Sequence, residues 1–225
     1  MGKRLWLAAA AAGVVAFCAG QAAASTVLYS KAWDPAQAGG YSNQTDFRWA
    51  DPVSLSADST VDAVTWYGSS YTGGDLTGVA FDIDFFDDAS GLPASTATGH
   101  FSGTPTFTDT GSINRYQHEV YLFTLDIDPV VLSANTTYHV SVASHGSAGD
   151  TQFIWEFSNL TDGDLSGNGG ATWTHGGQAQ AFSLIGDVNG SHGPGAPEPA
   201  AWALMITGFA GAGAALRRRR ALGQA

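Results

Sequence analysis

Between Thr26 and Gly186 the chain alternates short apolar-rich runs with clusters of Gly, Asp, Ser, Asn and Thr. The clearest run is VAFDIDFF at 79–86, where Val79, Phe81, Ile83 and Phe85 fall on one face and Ala80, Asp82, Asp84 and Phe86 on the other. A period of two marks a strand with one buried face, because successive side chains of an extended backbone point to opposite sides. Comparable runs stand at 61–68, 118–127, 137–144, 152–157 and 181–186, with weaker ones near 26–30, 45–49 and 171–174. Helical spacing is absent from this body. Six to nine short strands with turn-rich joints predict an all-β fold, an antiparallel β-sandwich of jelly-roll-like type, over residues 25–186.

The two ends follow different rules. Lys3 and Arg4 precede an apolar stretch from Leu5 to Ala19, and Ala22 and Ala24 supply the small residues that signal peptidase requires. Residues 1–24 therefore read as a signal peptide cleaved before Ser25. Cys18, the one cysteine, lies inside that segment, so the exported chain holds neither disulfides nor thiolate metal sites. Residues 187–196, DVNGSHGPGA, have the Gly/Pro composition of a linker.

Residues 25–196 keep only Lys31, Arg48 and Arg115 against nineteen acids, a net charge of −16. Such a surface repels phosphate backbones and anionic head groups, which excludes nucleic-acid binding as a function class. A divalent cation would be attracted. DGDLSGN at 162–168 places Asp162, Asp164 and Ser166 at alternating positions before Gly167, like the first half of a calcium loop. The second half is missing, because Trp173 occupies the position where a bidentate Glu belongs. DVNGS at 187–191 opens like another such loop, yet Pro194 and Pro197 stand where its helix should follow. Asp82, Asp84, Asp87 and Asp88 read as a solvated strand edge. Ca²⁺ remains the one candidate cofactor.

Trp66 and Trp155 sit within strand patterns and belong to the core. Tyr71 and Trp173, in Gly-rich surroundings, are the candidates for an exposed platform on which a sugar ring stacks. Enzymatic chemistry has little support. The two body glutamates, Glu119 and Glu156, lie in strand runs, and no histidine spacing suits a metal. No nucleophile elbow or phosphate loop is present. A glycan hydrolase built on an unmotifed carboxylate pair is the remaining enzymatic alternative.

The last stretch, PEPAAWALMITGFAGAGAALRRRR at 197–220, has three parts. Pro197-Glu198-Pro199 is stiff and extended, since proline fixes its own φ and restricts the residue before it. Ala200 to Leu216 carries no charge over seventeen residues. As a helix that is roughly 25 Å, close to a bilayer core, with Trp202 at the outer interface. Arg217, Arg218, Arg219 and Arg220 then hold the tail on the cytoplasmic side. Together Pro197, Glu198, Pro199, Trp202, the Gly-interrupted helix and the basic end resemble the PEP-CTERM sorting signal in its PEPxxWA form, a family also labelled the ice-binding protein C-terminal domain. The resemblance covers residues 197–225. It implies export, transient anchoring in the inner membrane, and processing near Pro197–Pro199 by an exosortase-type enzyme. Delivery would be to the cell surface or an exopolysaccharide matrix. The body is similar to the β-sandwich passengers that precede such tails, through FFDDASGLP at 85–93, TTYHVSV at 136–142 and QAFSLIG at 180–186. Such passengers mostly have no assigned biochemical role, and none that is catalytic is expected here.

Overall fold

The alternating runs pair into two antiparallel sheets. The computed structural model describes residues 25–37, 39–42, 47–145 and 153–189. The strands are β1 (Thr26–Lys31), β2 (Gly40–Tyr41), β3 (Arg48–Ser54), β4 (Ser59–Ser70), β5 (Phe81–Asp88), β6 (Pro93–Gly103) and β7 (Thr106–Ile113). They continue with β8 (Glu119–Leu132), β9 (Thr137–Ser144), β10 (Phe153–Trp155), β11 (Asp164–Ser166), β12 (Thr174–His175) and β13 (Phe182–Val188). No helix occurs among the described residues, and none there is long and apolar enough to cross a membrane. The signal-peptide residues Ala22 and Ala24 and the whole tail, including Pro197, Glu198, Pro199, Trp202 and Arg217 to Arg220, lie outside the described residues. Ser25 immediately precedes β1.

β4 is the spine of the first sheet. It pairs with β8 along one side and with β13 and then β10 along the other, while β1, β2 and β7 extend the sheet outward. The second sheet runs β12-β11-β3-β9-β5-β6. One apolar core joins the two. Trp66 on β4 stacks on Phe123 of β8, with ring centres 5.5 Å apart, and tilts against Phe81 of β5 at 5.2 Å. Phe153 meets Phe81 edge-on at 4.7 Å. Trp66 and Trp155 are both fully buried, as their strand periodicity predicts.

Proline positions fit the ladder. Pro52 in β3 pairs with His139 of β9, but β11 ends its pairing at Ala50, so no second neighbour needs the missing N–H. Pro129 falls where the β4–β8 register shifts, between the Ala63–Asp126 and Val61–Val130 pairs.

The sequence reading and the structure differ in definite places. β6 and β7 have no counterpart among the predicted strands. Each is an outer strand of its sheet, and Ser, Thr and Gly fill faces that need not be apolar. Arg48 and Trp49 of the weak run at 45–49 open a strand that continues to Ser54, and of the run at 171–174 only Thr174 is in a strand, β12. β13 continues past Gly186 to Val188, and the Asn189 N–H donates to the Asp58 carbonyl at 2.7 Å.

β5 is the largest departure. It lies between β6 and β9 and is buried on both faces from Phe81 to Phe86, so Asp82 and Asp84 are not a solvated edge. The segment after β11 lies across the outer face, where Trp173 packs edge-on against Phe86 at 5.5 Å.

Because Trp66 touches both sheets, Trp66→Ala is expected to cost about 3–5 kcal/mol of stability. The midpoint and slope of a urea unfolding curve measure that loss.

Candidate functional site

Buried carboxylates organise the loops. Glu156, just after β10, is fully buried. Its Oε1 accepts hydrogen bonds from Ser69 Oγ at 2.5 Å and Asn114 Nδ2 at 2.9 Å. Burial pushes this carboxyl above its ordinary value, against the opposing effect of those donors. Asn114 is thereby fixed, and its Oδ1 accepts the N–H groups of Tyr116 at 2.9 Å and His118 at 3.1 Å. The Gln117 N–H closes the turn onto the Asn114 carbonyl at 2.9 Å, and Gln117 takes a φ of 65°. Asn114 thus acts as an Asx-type anchor for a tight β7–β8 connection that turns Arg115 and Tyr116 outward.

Tyr116 is 53% exposed and Tyr71, beside the turn after β4, is 50% exposed. Half-buried His118 lies between them, its ring 5.6 Å from Tyr71 and 6.3 Å from Tyr116. These three rings, with Gly39 and Ile154, line a cleft of about 670 Å³. A hollow of about 320 Å³ shares Tyr116 and Gly39 and is lined further by Gln37, Arg115, Phe157 and Gln178. The Arg115 guanidinium lies over the Tyr116 ring at 4.8 Å. The chemistry on offer is aromatic faces, amide side chains and one guanidinium in an open groove, a surface suited to stacking and hydrogen bonding.

Of the two aromatic candidates, Tyr71 is exposed at this cleft and Trp173 is not. Trp173 is only 8% exposed, packed with Phe86 and Ala50 and close to Gly170. Gly-rich surroundings suggested a surface ring; the glycines instead let the segment fold back and bury it. The calcium candidates also separate. Asp162 pairs with Lys31 at 2.8 Å, whereas Asp164 is buried on β11 beside His175 at 2.9 Å and His139 at 3.0 Å. Ser166 Oγ donates to Asn168 Oδ1 at 2.8 Å. Each has a different side-chain partner. Among the described residues no group of three or more His, Cys, Asp or Glu side chains is arranged to hold a metal ion.

A second polar system crosses the outer face of the β3–β9–β5–β6 region. Arg48 pairs with Asp84, which also meets His100 Nδ1 at 2.7 Å, and His145 Nε2 lies 2.5 Å from Asp82. Fully buried His139 stands between two acids, with Nε2 3.0 Å from Asp88 and Nδ1 3.0 Å from Asp164. Burial works against its protonation, but the hydrogen bonds and charges of Asp164 and Asp88 outweigh that and hold His139 above its ordinary value. Another buried acid, Asp51, accepts the Gln180 N–H at 2.7 Å and faces Lys31 at 3.3 Å. Burial dominates there and pushes its carboxyl up to about 7.

Asn114, Arg115, Tyr116 and His118 are not legible as a unit in the sequence, because β7 (TFTDTGSI) lacks the apolar alternation that would mark the hairpin around them. The readable signal was NRYQH itself, an Asn opening a short polar loop around a tyrosine. No protein-family model matches the chain, and no curated protein matches it.

The raised acids and His139 share one sign. Each binds more protons folded than unfolded, so stability falls as pH rises through the interval between the two values. For Asp51 that interval runs from 3.8 to about 7, and for His139 it begins at 6.5 and extends upward. Urea unfolding at a series of pH values should show stability declining from about pH 4 to above 7. Asp51→Asn should flatten the lower limb and His139→Gln the upper one, the latter at a cost of about 3 kcal/mol near neutral pH.

Proposed function

We propose that the chain is an exported surface or extracellular-matrix protein whose jelly-roll-like β-sandwich binds polysaccharide and carries no catalytic role. Its tail serves as a PEP-CTERM-type sorting signal. The observation that carries the binding reading is the cleft in which Tyr71, Tyr116 and His118 present aromatic surface beside amide side chains. Sugar rings offer apolar C–H faces for stacking and hydroxyls for hydrogen bonds, and an open groove admits a chain from either end. The matrix to which such tails deliver proteins is itself polysaccharide, so the site and the address suit each other. Signal peptidase and an exosortase-type membrane enzyme would be the processing partners, with the inner membrane as a transient station.

Retention of the full-length protein on immobilised polysaccharides tests the binding reading. Tyr71→Ala and Tyr116→Ala should each weaken retention roughly ten-fold, the loss expected for one stacked aromatic ring. Trp173→Ala should act through stability and leave the affinity of the folded fraction unchanged. Absence of retention on every polymer would remove glycan binding. The sorting reading is tested separately: Glu198→Ala should leave full-length protein in the inner-membrane fraction, and unaltered release of that variant would refute motif-dependent processing.

A further inference from the structure

Positive charge is scarce on this body, and where it goes bears on the ligand. Of the three basic residues between 25 and 196, Lys31 is buried against Asp51 and Asp162, and Arg48 is buried against Asp84. Arg115 is the one exposed Lys or Arg among the described residues, and it stands at the aromatic cleft. Its Nη2 donates to Tyr116 Oη at 3.0 Å, and no carboxylate of the described residues pairs with it. A guanidinium carries five N–H donors in a fixed fork, so most of that fork remains for another acceptor.

The position is built as well as exposed. Asn114, the residue before Arg115, is locked through Glu156, and the Tyr116 ring lies beneath the guanidinium. Less side-chain freedom is then lost when the fork meets a ligand. Gln37 and Gln178 line the same hollow and supply amide donors and acceptors suited to hydroxyls. Tyr71 and His118 lie on the other side of Tyr116, in the larger cleft.

We infer that the ligand is an acidic polysaccharide, with a carboxylate-bearing sugar held by Arg115 in the smaller hollow and a neighbouring ring stacked in the Tyr71–Tyr116–His118 cleft. This rests on the glycan-binding reading and adds the charge of the ligand to it. The surrounding acids repel a polyanion at long range, so a carboxylate is accepted only where a local, oriented cation offsets that repulsion. A charge-assisted, two-pronged contact supplies that offset and selects the acidic sugar over a neutral one.

Full-length protein applied to immobilised alginate, polygalacturonate and xanthan, each beside its carboxyl-reduced counterpart, tests the inference. At least one acidic polymer should be held roughly ten-fold more tightly than its reduced form. Arg115→Gln should abolish that difference with an unchanged urea midpoint, Arg115→Lys should restore it only in part, and Tyr71→Ala should weaken both forms. Equal retention of an acidic polymer and its reduced form, or a preference that survives Arg115→Gln, overturns the acidic ligand and leaves glycan binding standing. No retention on any polymer overturns both.

Discussion

A carboxylate taken out of water must find donors, and that requirement shapes this protein outside its apolar core. Glu156, Asp51, Asp84 and Asp164 are all buried. Their partners come from far along the chain: Asn114 and Ser69 for Glu156, Gln180 and Lys31 for Asp51, Arg48 for Asp84, His139 and His175 for Asp164. In a body without cysteine these contacts do the tying that disulfides do in many exported domains. Breaking one leaves a charge or a donor stranded in a dry site, so each contact is specific about which loop goes where.

The two sheets meet this demand differently. Between them lies an ordinary aromatic core around Trp66, Phe81 and Phe123. The outer face of the second sheet is also covered in part, by Trp173 and the segment leading to it, and the polar ladder of Arg48, Asp84 and His139 lies on that face. Covering it removes Trp173 from solvent and leaves the exposed aromatic surface of the cleft to Tyr71 and Tyr116. Those two tyrosines can be exposed without being loose, because the turn that carries Tyr116 is pinned from beneath by Asn114 and Glu156.

The described domain and the tail divide the proposed work. The domain would meet the ligand, and the tail would fix where that meeting happens. Acidic character fits both tasks, since residues 25–196, with a net charge of −16, are repelled by the membrane surface they would pass and by polyanions that lack a matching contact.

Several features were legible in the sequence alone. Period-two runs in 61–68, 137–144 and 181–186 determined strands, because alternation follows from the extended backbone whatever its neighbours are. Burial of Trp66 and Trp155 followed from the same pattern. Composition fixed the charge and the lack of cysteine in the body. Tertiary structure decided the rest. Asp82 and Asp84 read as solvated because a carboxylate ordinarily is, and only the arrival of Arg48 and the histidines from other strands permits their burial. Trp173 and Tyr71 have similar Gly-rich neighbourhoods, yet one is enclosed by Phe86 and the other faces solvent, since local composition carries no record of what folds over it. The cleft belongs to this second class: Tyr71, Tyr116 and Ile154 are far apart along the chain, and their meeting is set by which strands pair, a property of long-range contacts that no short stretch of sequence encodes.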